Sequence, residues 1–162
     1  MRDLGDIQIE DLNRHENVIV CLDVGDKTIG IAVSDRRNKI ASPIVTIARK
    51  GNKNDLDVLL KCTQPYKIGL IIFGWPILMS GTASKQCRKV ADFANWLAKY
   101  MEIDFAKWDE RFSTSVVDKI MIEADLSRKR RKQVIDKTAA TYILQGALDF
   151  LNRPVAKASW SS

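Results

Sequence analysis

Val18-Ile-Val-Cys-Leu-Asp-Val-Gly25 is the stretch that decides the fold, together with the run Thr28-Ile-Gly-Ile-Ala-Val33 that follows it. The first five residues form a continuous apolar run, which is typical of a central strand buried on both faces. Val24-Gly-Asp-Lys27 supplies a turn, so the second run is predicted to be an antiparallel neighbour of the first. The pair therefore predicts a β-hairpin inside a sheet, with Asp23 at the end of its first strand.

The rest of the chain alternates between strand and helix patterns. A third strand is predicted at Ile40–Ala48, where Pro43 indicates an edge or a bulge. Strands separated by helices pair in parallel. The predicted fold is an α/β fold with a mixed five-stranded sheet, three antiparallel strands followed by two parallel ones, flanked by helices. Further strands are predicted at 68–73 and 103–108, and helices at 54–62, 82–100, 113–123 and 133–151.

The domain organisation predicted from length and polarity is simple. With 162 residues, the chain favours one domain with one core, which we assign to residues 17–152. Residues 1–16 are polar and without sustained periodicity, so they are predicted to be a flexible or loosely docked extension. Arg153-Pro154 ends the last helix, and residues 153–162 are predicted to be a polar tail.

The charge of the chain favours a polyanionic partner. The net charge is +6, and lysine and arginine gain affinity for nucleic acids by releasing phosphate counterions. A basic surface without such a partner is the open alternative.

Histidine and cysteine usage excludes several kinds of site. His15 is the single histidine and lies in the polar leader, so a histidine-based nucleophilic triad or a zinc site is not expected. The three cysteines, Cys21, Cys62 and Cys87, have no metal-type spacing and are interpreted as reduced thiols of a cytoplasmic protein. No apolar run is long enough to predict a membrane span.

Three acidic residues are the candidate site: Asp23, Glu110 and Asp136. Two carboxylates about 4 Å apart repel by roughly 4 kcal/mol at an effective dielectric constant near 20, so protons or divalent cations must neutralise such a cluster. Each acid alone has another interpretation. Asp23 fits a turn, Glu110 fits a surface pair with Arg111, and Asp136 fits the first turn of a helix. Asp109 also competes with Glu110.

Four ordered segments resemble the YqgF family of RNase H-like nucleases, over about residues 18–151. The segments are Leu22-Asp-Val-Gly25 with Ile29–Asp35, Phe73-Gly-Trp-Pro76 through Gly81-Thr82, Trp108-Asp-Glu-Arg-Phe-Ser-Thr114, and Ser127–Lys132 leading to Asp136-Lys-Thr-Ala-Ala140. The resemblance implies an RNase H-like fold and a metal-dependent endonuclease acting on structured nucleic acid, with Asp23, Glu110 and Asp136 as its active-site acids. Oxygen ligands suit Mg²⁺, with Mn²⁺ as a substitute, and two such ions serve phosphodiester hydrolysis.

The substrate implied by the resemblance is the 5′ end of precursor 16S rRNA, and the alternative is a four-way DNA junction. Junction resolution needs two symmetric cuts and hence a homodimer, whereas RNA processing allows a monomer. A non-catalytic nucleic-acid-binding module also remains open. A nucleotide-binding phosphotransferase is disfavoured, because proteins with a similar hairpin need two such domains around a cleft.

Basic residues near the predicted site are candidates for phosphate contacts, although solvated surface positions explain them as well. They are Lys27, Lys85, Arg88, Arg111 and the run Arg128, Lys129, Arg130, Arg131 and Lys132, which is predicted to precede the last helix. Trp75 fits either base stacking or a core position, whereas Trp96 and Trp108 fit the core.

Departures from the family pattern affect substrate contacts, one of them being Trp75 where Leu is common. Asp26 stands where a small hydroxyl residue is usual, which adds a negative charge near the predicted metals. The apolar loop Ile77-Leu-Met-Ser80 replaces a more polar one. None of these departures removes any of the three acids.

Overall fold

The computed structural model describes residues 1–77, 80–109 and 128–154, with side chains described from residue 139 onward in the last of these ranges. One mixed sheet runs through the molecule in the order β1-β6-β5-β2-β3-β4. Strands β2, β3 and β4 pair antiparallel, whereas β2, β5, β6 and β1 pair parallel. The strands are β1 Arg2–Asp3, β2 Val18–Val24, β3 Thr28–Ser34, β4 Ala41–Ala48, β5 Ile68–Trp75 and β6 Asp104–Asp109.

Helices cover both faces of this sheet. They are α1 Ile9–Arg14, α2 Asn52–Thr63, α3 Lys85–Leu97 and α4 Arg128–Leu151, with a short 3-10 helix at Leu4–Asp6. Because successive side chains of a strand point to opposite faces, β2 divides between two cores. Val20 and Leu22 pack in the cluster that contains α2 and α3 residues, whereas Ile19 and Cys21 pack in the cluster that contains α4 residues.

Strand β2 is the buried centre of the sheet, as its apolar run predicts. Ile19, Val20, Cys21 and Leu22 are all completely buried, and each large apolar side chain contributes about 1.5–3 kcal/mol by leaving water. The predicted antiparallel hairpin is confirmed, with Asp23 opposite Gly30 in the ladder. Pro43 lies on the edge strand β4, beside a register shift, as expected for a residue without a backbone N–H.

The N-terminal segment differs from the prediction of a flexible or loosely docked extension. β1 pairs with β6 as a sixth strand, where a five-stranded sheet is predicted. Leu4 and Ile9 are buried in the core on the α4 face, with 2% and 6% exposure. A strand of two residues has no readable periodicity, so its pairing depends on the neighbouring edge and not on its own sequence pattern.

Two helix boundaries also differ from the predicted ones. α4 begins at Arg128, so the basic run lies in its first turns and not before the helix. α3 begins at Lys85 and not at residue 82, because the Ser84 hydroxyl accepts a hydrogen bond from the Cys87 N–H at 3.3 Å and caps the helix. The helix predicted at 113–123 and most of the predicted tail lie outside the described residues.

Two findings concern the predictions about cysteines and about membrane spans. Cys62 and Cys87 are free thiols. Within the described part of the chain, no helix has the length and apolar character needed to cross a bilayer.

Candidate active site

The candidate site lies at the carboxyl edge of the parallel strands. Leu22 of β2 pairs with Phe73 of β5, and the next residue of β5, Gly74, pairs with Trp108 of β6. Asp23 follows Leu22, so it lies level with Gly74 and Trp108 along the sheet. This edge is where ligands usually bind in open α/β sheets.

Asp23 points to the α4 face of the sheet. It alternates with Leu22 and shares the face of Ile19 and Cys21, which pack against α4. A Cβ atom built on Gly30, its cross-strand partner, would lie 3.6 Å from the Asp23 Cβ and 3.4 Å from the Ala140 Cβ. Asp23, Gly30 and Ala140 therefore meet at one point, where two small residues let α4 approach the sheet closely.

The direction of α4 brings its first half to this edge. Asn152, just after α4, donates a hydrogen bond from Nδ2 to the Asn38 carbonyl oxygen at 2.7 Å, and Asn38 contacts Asn17 at the opposite end of the sheet. α4 therefore runs against the direction of β2. Asp136 precedes Ala140 by four residues, about 6 Å along the helix axis. The helix thus carries the backbone of Asp136 toward the edge that holds Asp23.

Asp109 does not share a face with Asp23. Side chains of β6 alternate between the faces, so Asp109 lies on the same face as Phe105 and Lys107 and on the opposite face from Trp108. Phe105 packs in the α2–α3 core, whereas Trp108 packs on the α4 side. Of the two competing acids in this segment, Asp109 is therefore the disfavoured partner of Asp23. Glu110 lies outside the described residues, as do the side chain of Asp136 and the whole of Arg111.

The chemistry of the donor set fits a divalent cation that prefers oxygen ligands. Asp23 is half-buried at this edge, and carboxylate oxygens are the ligands that Mg²⁺ and Mn²⁺ accept. Among the described side chains, no group of three or more His, Cys, Asp or Glu residues is arranged to hold a metal. The predicted set includes Glu110 and Asp136, whose side chains are not among the described ones. The assembly of the three acids therefore stays a prediction.

The turn after Asp23 is held by hydrogen bonds from three directions. The Gly25 N–H donates to the Thr28 carbonyl oxygen at 2.8 Å. Arg49 Nη1 donates to the Gly25 carbonyl oxygen at 3.1 Å, and Gln86 Nε2 donates to the Val24 carbonyl oxygen at 2.9 Å. Arg49 and Gln86 thus fix the backbone that positions Asp23, and neither has a motif that would reveal this role from sequence.

Asp26 is ion-paired with a residue of α3. Its carboxylate accepts a hydrogen bond from Lys89 Nζ at 2.7 Å, and that lysine holds the pKa of Asp26 below its usual value of 3.8. The negative charge that Asp26 is expected to add near the metals is therefore offset by Lys89. The family departure at this position is matched by a basic residue on the neighbouring helix.

The predicted phosphate contacts divide into two groups. Lys27, Lys85 and Arg88 are exposed on the turn and on α3. Arg128, Lys129, Arg130, Arg131 and Lys132 form the first turns of α4, the helix that carries Asp136, and their side chains lie outside the described ones. Both groups belong to elements that reach the carboxyl edge.

The tryptophans have distinct surroundings. Trp75 packs against the α2–α3 core, and Lys107 Nζ lies 5.2 Å from its ring centroid, which favours the structural interpretation over base stacking. Trp108, predicted to be core, is partly buried and packs against Phe150 with 5.0 Å between ring centroids. Trp96, predicted to be core, is only partly buried and lines an open groove.

Comparison with known proteins identifies a family. A family model described as RuvX, Holliday junction resolvase, matches residues 17–150. Proteins named as pre-16S rRNA nucleases from Clostridium botulinum (strain Hall) and Clostridium kluyveri are each 44% identical over 135 residues, which cover 83% of this chain and 98% of each relative. A fowlpox virus resolvase in complex with Holliday junction DNA is 13% identical with a TM-score of 0.40, covering 82% of this chain and 91% of that one. That structural likeness is too weak to carry an argument.

Proposed function

The chain belongs to the RuvX family of Holliday junction resolvases, and we propose that it is a metal-dependent endonuclease that processes the 5′ end of precursor 16S rRNA. The observation that carries this proposal is the meeting of Asp23, Gly30 and Ala140, because it brings β2 and the helix of Asp136 together at one edge. The names of relatives that cover most of the chain support the choice of substrate.

In this proposal, Asp23, Glu110 and Asp136 hold the divalent cations. When bound, these ions supply an activated water molecule and stabilisation of the leaving oxygen. Mg²⁺ is the proposed cofactor and Mn²⁺ its substitute, because hard oxygen ligands suit both. Asp23 contributes a carboxylate whose position is fixed by the central strand and by the hydrogen-bonded turn that follows it. No protein nucleophile is needed.

The proposed reaction is hydrolysis of one phosphodiester bond. The water oxygen bonds to phosphorus, the bond between phosphorus and the 3′ oxygen breaks, and that oxygen takes up a proton. The products are a 5′-phosphate and a 3′-hydroxyl. Lys27, Lys85, Arg88, Arg111 and the basic run at the start of α4 would bind the flanking phosphates. Ribosomal RNA processing would place the protein in the cytoplasm.

The second candidate is resolution of four-way DNA junctions, which the description of the family model favours. This activity would require a homodimer for two symmetric cuts, whereas the RNA activity is open to a monomer. Binding without cleavage, as a module of ribosome maturation, would follow if the acids did not assemble.

The test is cleavage by wild type and by Asp23→Asn, with Mg²⁺, with Mn²⁺ and in EDTA. The substrates are a labelled 5′ precursor segment of 16S rRNA and a labelled four-way DNA junction. We expect metal-dependent cutting of the RNA that is lost in the variant. Cutting of the junction alone would select the second candidate, and cutting by Asp23→Asn at the wild-type rate would refute the assigned acids.

A further inference from the structure

A shallow groove of about 460 Å³ lies between the start of α2 and the exposed side of α3, on the sheet face opposite Asp23. We call it the aromatic groove. Its lining includes Arg49, Asn52, Lys89, Asn95, Trp96 and Lys99.

Three aromatic rings follow one another along α3 and just beyond it. Phe93 and Trp96 are stacked, with ring centroids 6.4 Å apart and planes at 13°. Trp96 and Tyr100 are tilted, with centroids 4.7 Å apart. Phe93 is 3% exposed and Tyr100 is 60% exposed, so the row runs from the core to solvent. Trp96 is the partly buried ring of this row that lines the groove, and the part of it that faces the groove is a surface on which a nucleic-acid base can stack.

The charges at the groove are mixed, with two lysines that suit phosphate groups, one of them paired with Asp26. Lys89 and Lys99 line it together with Asn95, and Asp92 adds an acid to the same lining. Arg49 has another role. Its guanidinium donates to Asp55, to Asn52 and to the Gly25 carbonyl oxygen, and it lies 5.0 Å from the centroid of the Phe93 ring. Arg49 is therefore held in place at the bottom of the groove, which we call the Arg49 floor. The two lysines are the side chains that remain for phosphate contacts.

The groove is continuous with the turn after Asp23. Lys89, at the near end of the groove, pairs with Asp26 of that turn at 2.7 Å. Arg49 contacts the same turn through Gly25 at 3.1 Å. Lys27 is exposed on the turn itself. A strand that passes Asp23 at the carboxyl edge therefore meets Lys27 and then Lys89 before it reaches Trp96.

We infer that the aromatic groove binds an unpaired segment of the substrate strand next to the cleavage site, with one base stacked on Trp96 and the adjoining phosphates on Lys89 and Lys99. This inference rests on the proposed function, because it supplies the same nuclease with a subsite. It gives the enzyme a reason to choose substrates with single-stranded flanks. Stacking tolerates every base, so the subsite selects unpaired structure and not sequence.

The first test measures binding without cleavage. Wild type and Trp96→Leu are titrated in EDTA with single-stranded RNA and DNA oligonucleotides, and the intrinsic tryptophan fluorescence is followed. We expect quenching in wild type, its loss in the variant, and about tenfold weaker binding, the order expected when one base no longer stacks. Tyr66→Leu is the matched control, because Tyr66 is an exposed aromatic residue, 39% accessible, lining a cavity beside Lys67 and well removed from the groove. Unchanged quenching and affinity in Trp96→Leu would overturn the inference.

A second variant tests the groove without changing a side chain that packs against the core. Lys99→Glu changes an exposed side chain, and its control is Lys67→Glu, an exposed lysine outside the groove. Lys99→Glu is expected to weaken oligonucleotide binding about tenfold and to lower its salt dependence, since the variant has one fewer cation to neutralise a phosphate. Lys67→Glu should change both much less. Equal effects of the two variants would indicate non-specific charge and would refute the subsite.

Cleavage then separates the subsite from the proposed function. With a precursor RNA that has an unpaired flank, Lys99→Glu should raise KM about tenfold at unchanged kcat, and with a fully paired substrate it should match wild type. Cleavage by wild type with no difference between variant and wild type on either substrate would reject the groove and keep the nuclease. Quenching through Trp96 without cleavage of any substrate would keep the groove and reject the nuclease.

Discussion

On the α4 face of the sheet, the carboxyl edge presents Asp23 beside Gly30 and Ala140. On the α2–α3 face the same edge presents Lys89, and α3 leads from there to the row of rings that ends at Tyr100. Small residues on the first face allow a helix to approach closely. Long basic and aromatic side chains on the second face extend into solvent. The proposed metal-binding acid and the proposed single-strand subsite therefore lie on opposite faces of one strand, because its side chains alternate.

The largest expected effect tests whether the chemistry is confined to the α4 face. Asp23→Asn should fold normally and lose at least about 100-fold in kcat/KM, since a neutral amide is a poor ligand for the cations that supply several kcal/mol to the reaction. The matched control is Asp109→Asn, an acid at the same edge on the other face. It should lose far less activity than Asp23→Asn, because the alternation of β6 places its side chain on the other face of the sheet, although Asp109 neighbours Glu110 in the sequence. A severe loss in Asp109→Asn with an active Asp23→Asn would reverse the assignment of faces.

The elements of the fold differ in how well the sequence predicted them. The central hairpin and the parallel strands were predicted correctly, because a buried strand is an uninterrupted apolar run that is visible in the sequence itself. The inner face of α4 is Ala140, Ile143, Leu144, Ala147 and Leu148, a regular helical stripe. The docked strand at Arg2–Asp3 has no such pattern and was missed.

The contacts around the candidate site were less predictable than the fold. Arg49 and Gln86 bond to backbone carbonyl oxygens of the turn, and such bonds depend on three-dimensional neighbours and not on a motif. Trp96 shows a related problem. Its helical spacing with Phe93 is the same for a core ring and for a ring at a groove, so periodicity does not reveal exposure. The acids stood out because of the family resemblance, and their assembly stays a prediction for Glu110 and Asp136.

The next largest effect concerns the stability of the α2–α3 face. The Asp55 carboxylate is fully buried and accepts hydrogen bonds from Arg49 Nε and the Lys50 N–H, each at 3.1 Å. Asp55→Ala should lower the free energy of unfolding by about 2–4 kcal/mol, because it removes the only acid paired with a mostly buried guanidinium in the described structure and the acceptor of the Lys50 N–H. Asp57→Ala, at an exposed position of the same helix, is the control. Urea unfolding measures both, and equal midpoints would show that the Arg49 floor contributes nothing to stability.

A smaller effect compares phosphate binding on the two faces. Neutralising Arg128–Lys132 should reduce the slope of log Kd against log salt by about 0.7–0.9 for each phosphate that the variant no longer binds. If the α4 face binds phosphates beside the cut, the reduction should appear with both paired and single-stranded ligands. Lys99→Glu should reduce the slope only with the single-stranded ligand. Identical behaviour of the two variants would mean that the faces do not differ in what they bind.

The smallest expected effect is a change in the pKa of Asp26, in the turn where the two faces meet. Lys89 lowers the pKa of Asp26 below 3.8, so the pair contributes stability above that pH and loses it as pH falls through the lowered value. Lys89→Ala should return the Asp26 pKa toward 3.8, measured by NMR titration of the side-chain carboxyl. Lys85→Ala, an exposed lysine of the same helix, should leave it lowered. A pKa that stays low in Lys89→Ala would assign the shift to Arg49, the other cation that lowers it, and would weaken the link between the turn and the aromatic groove.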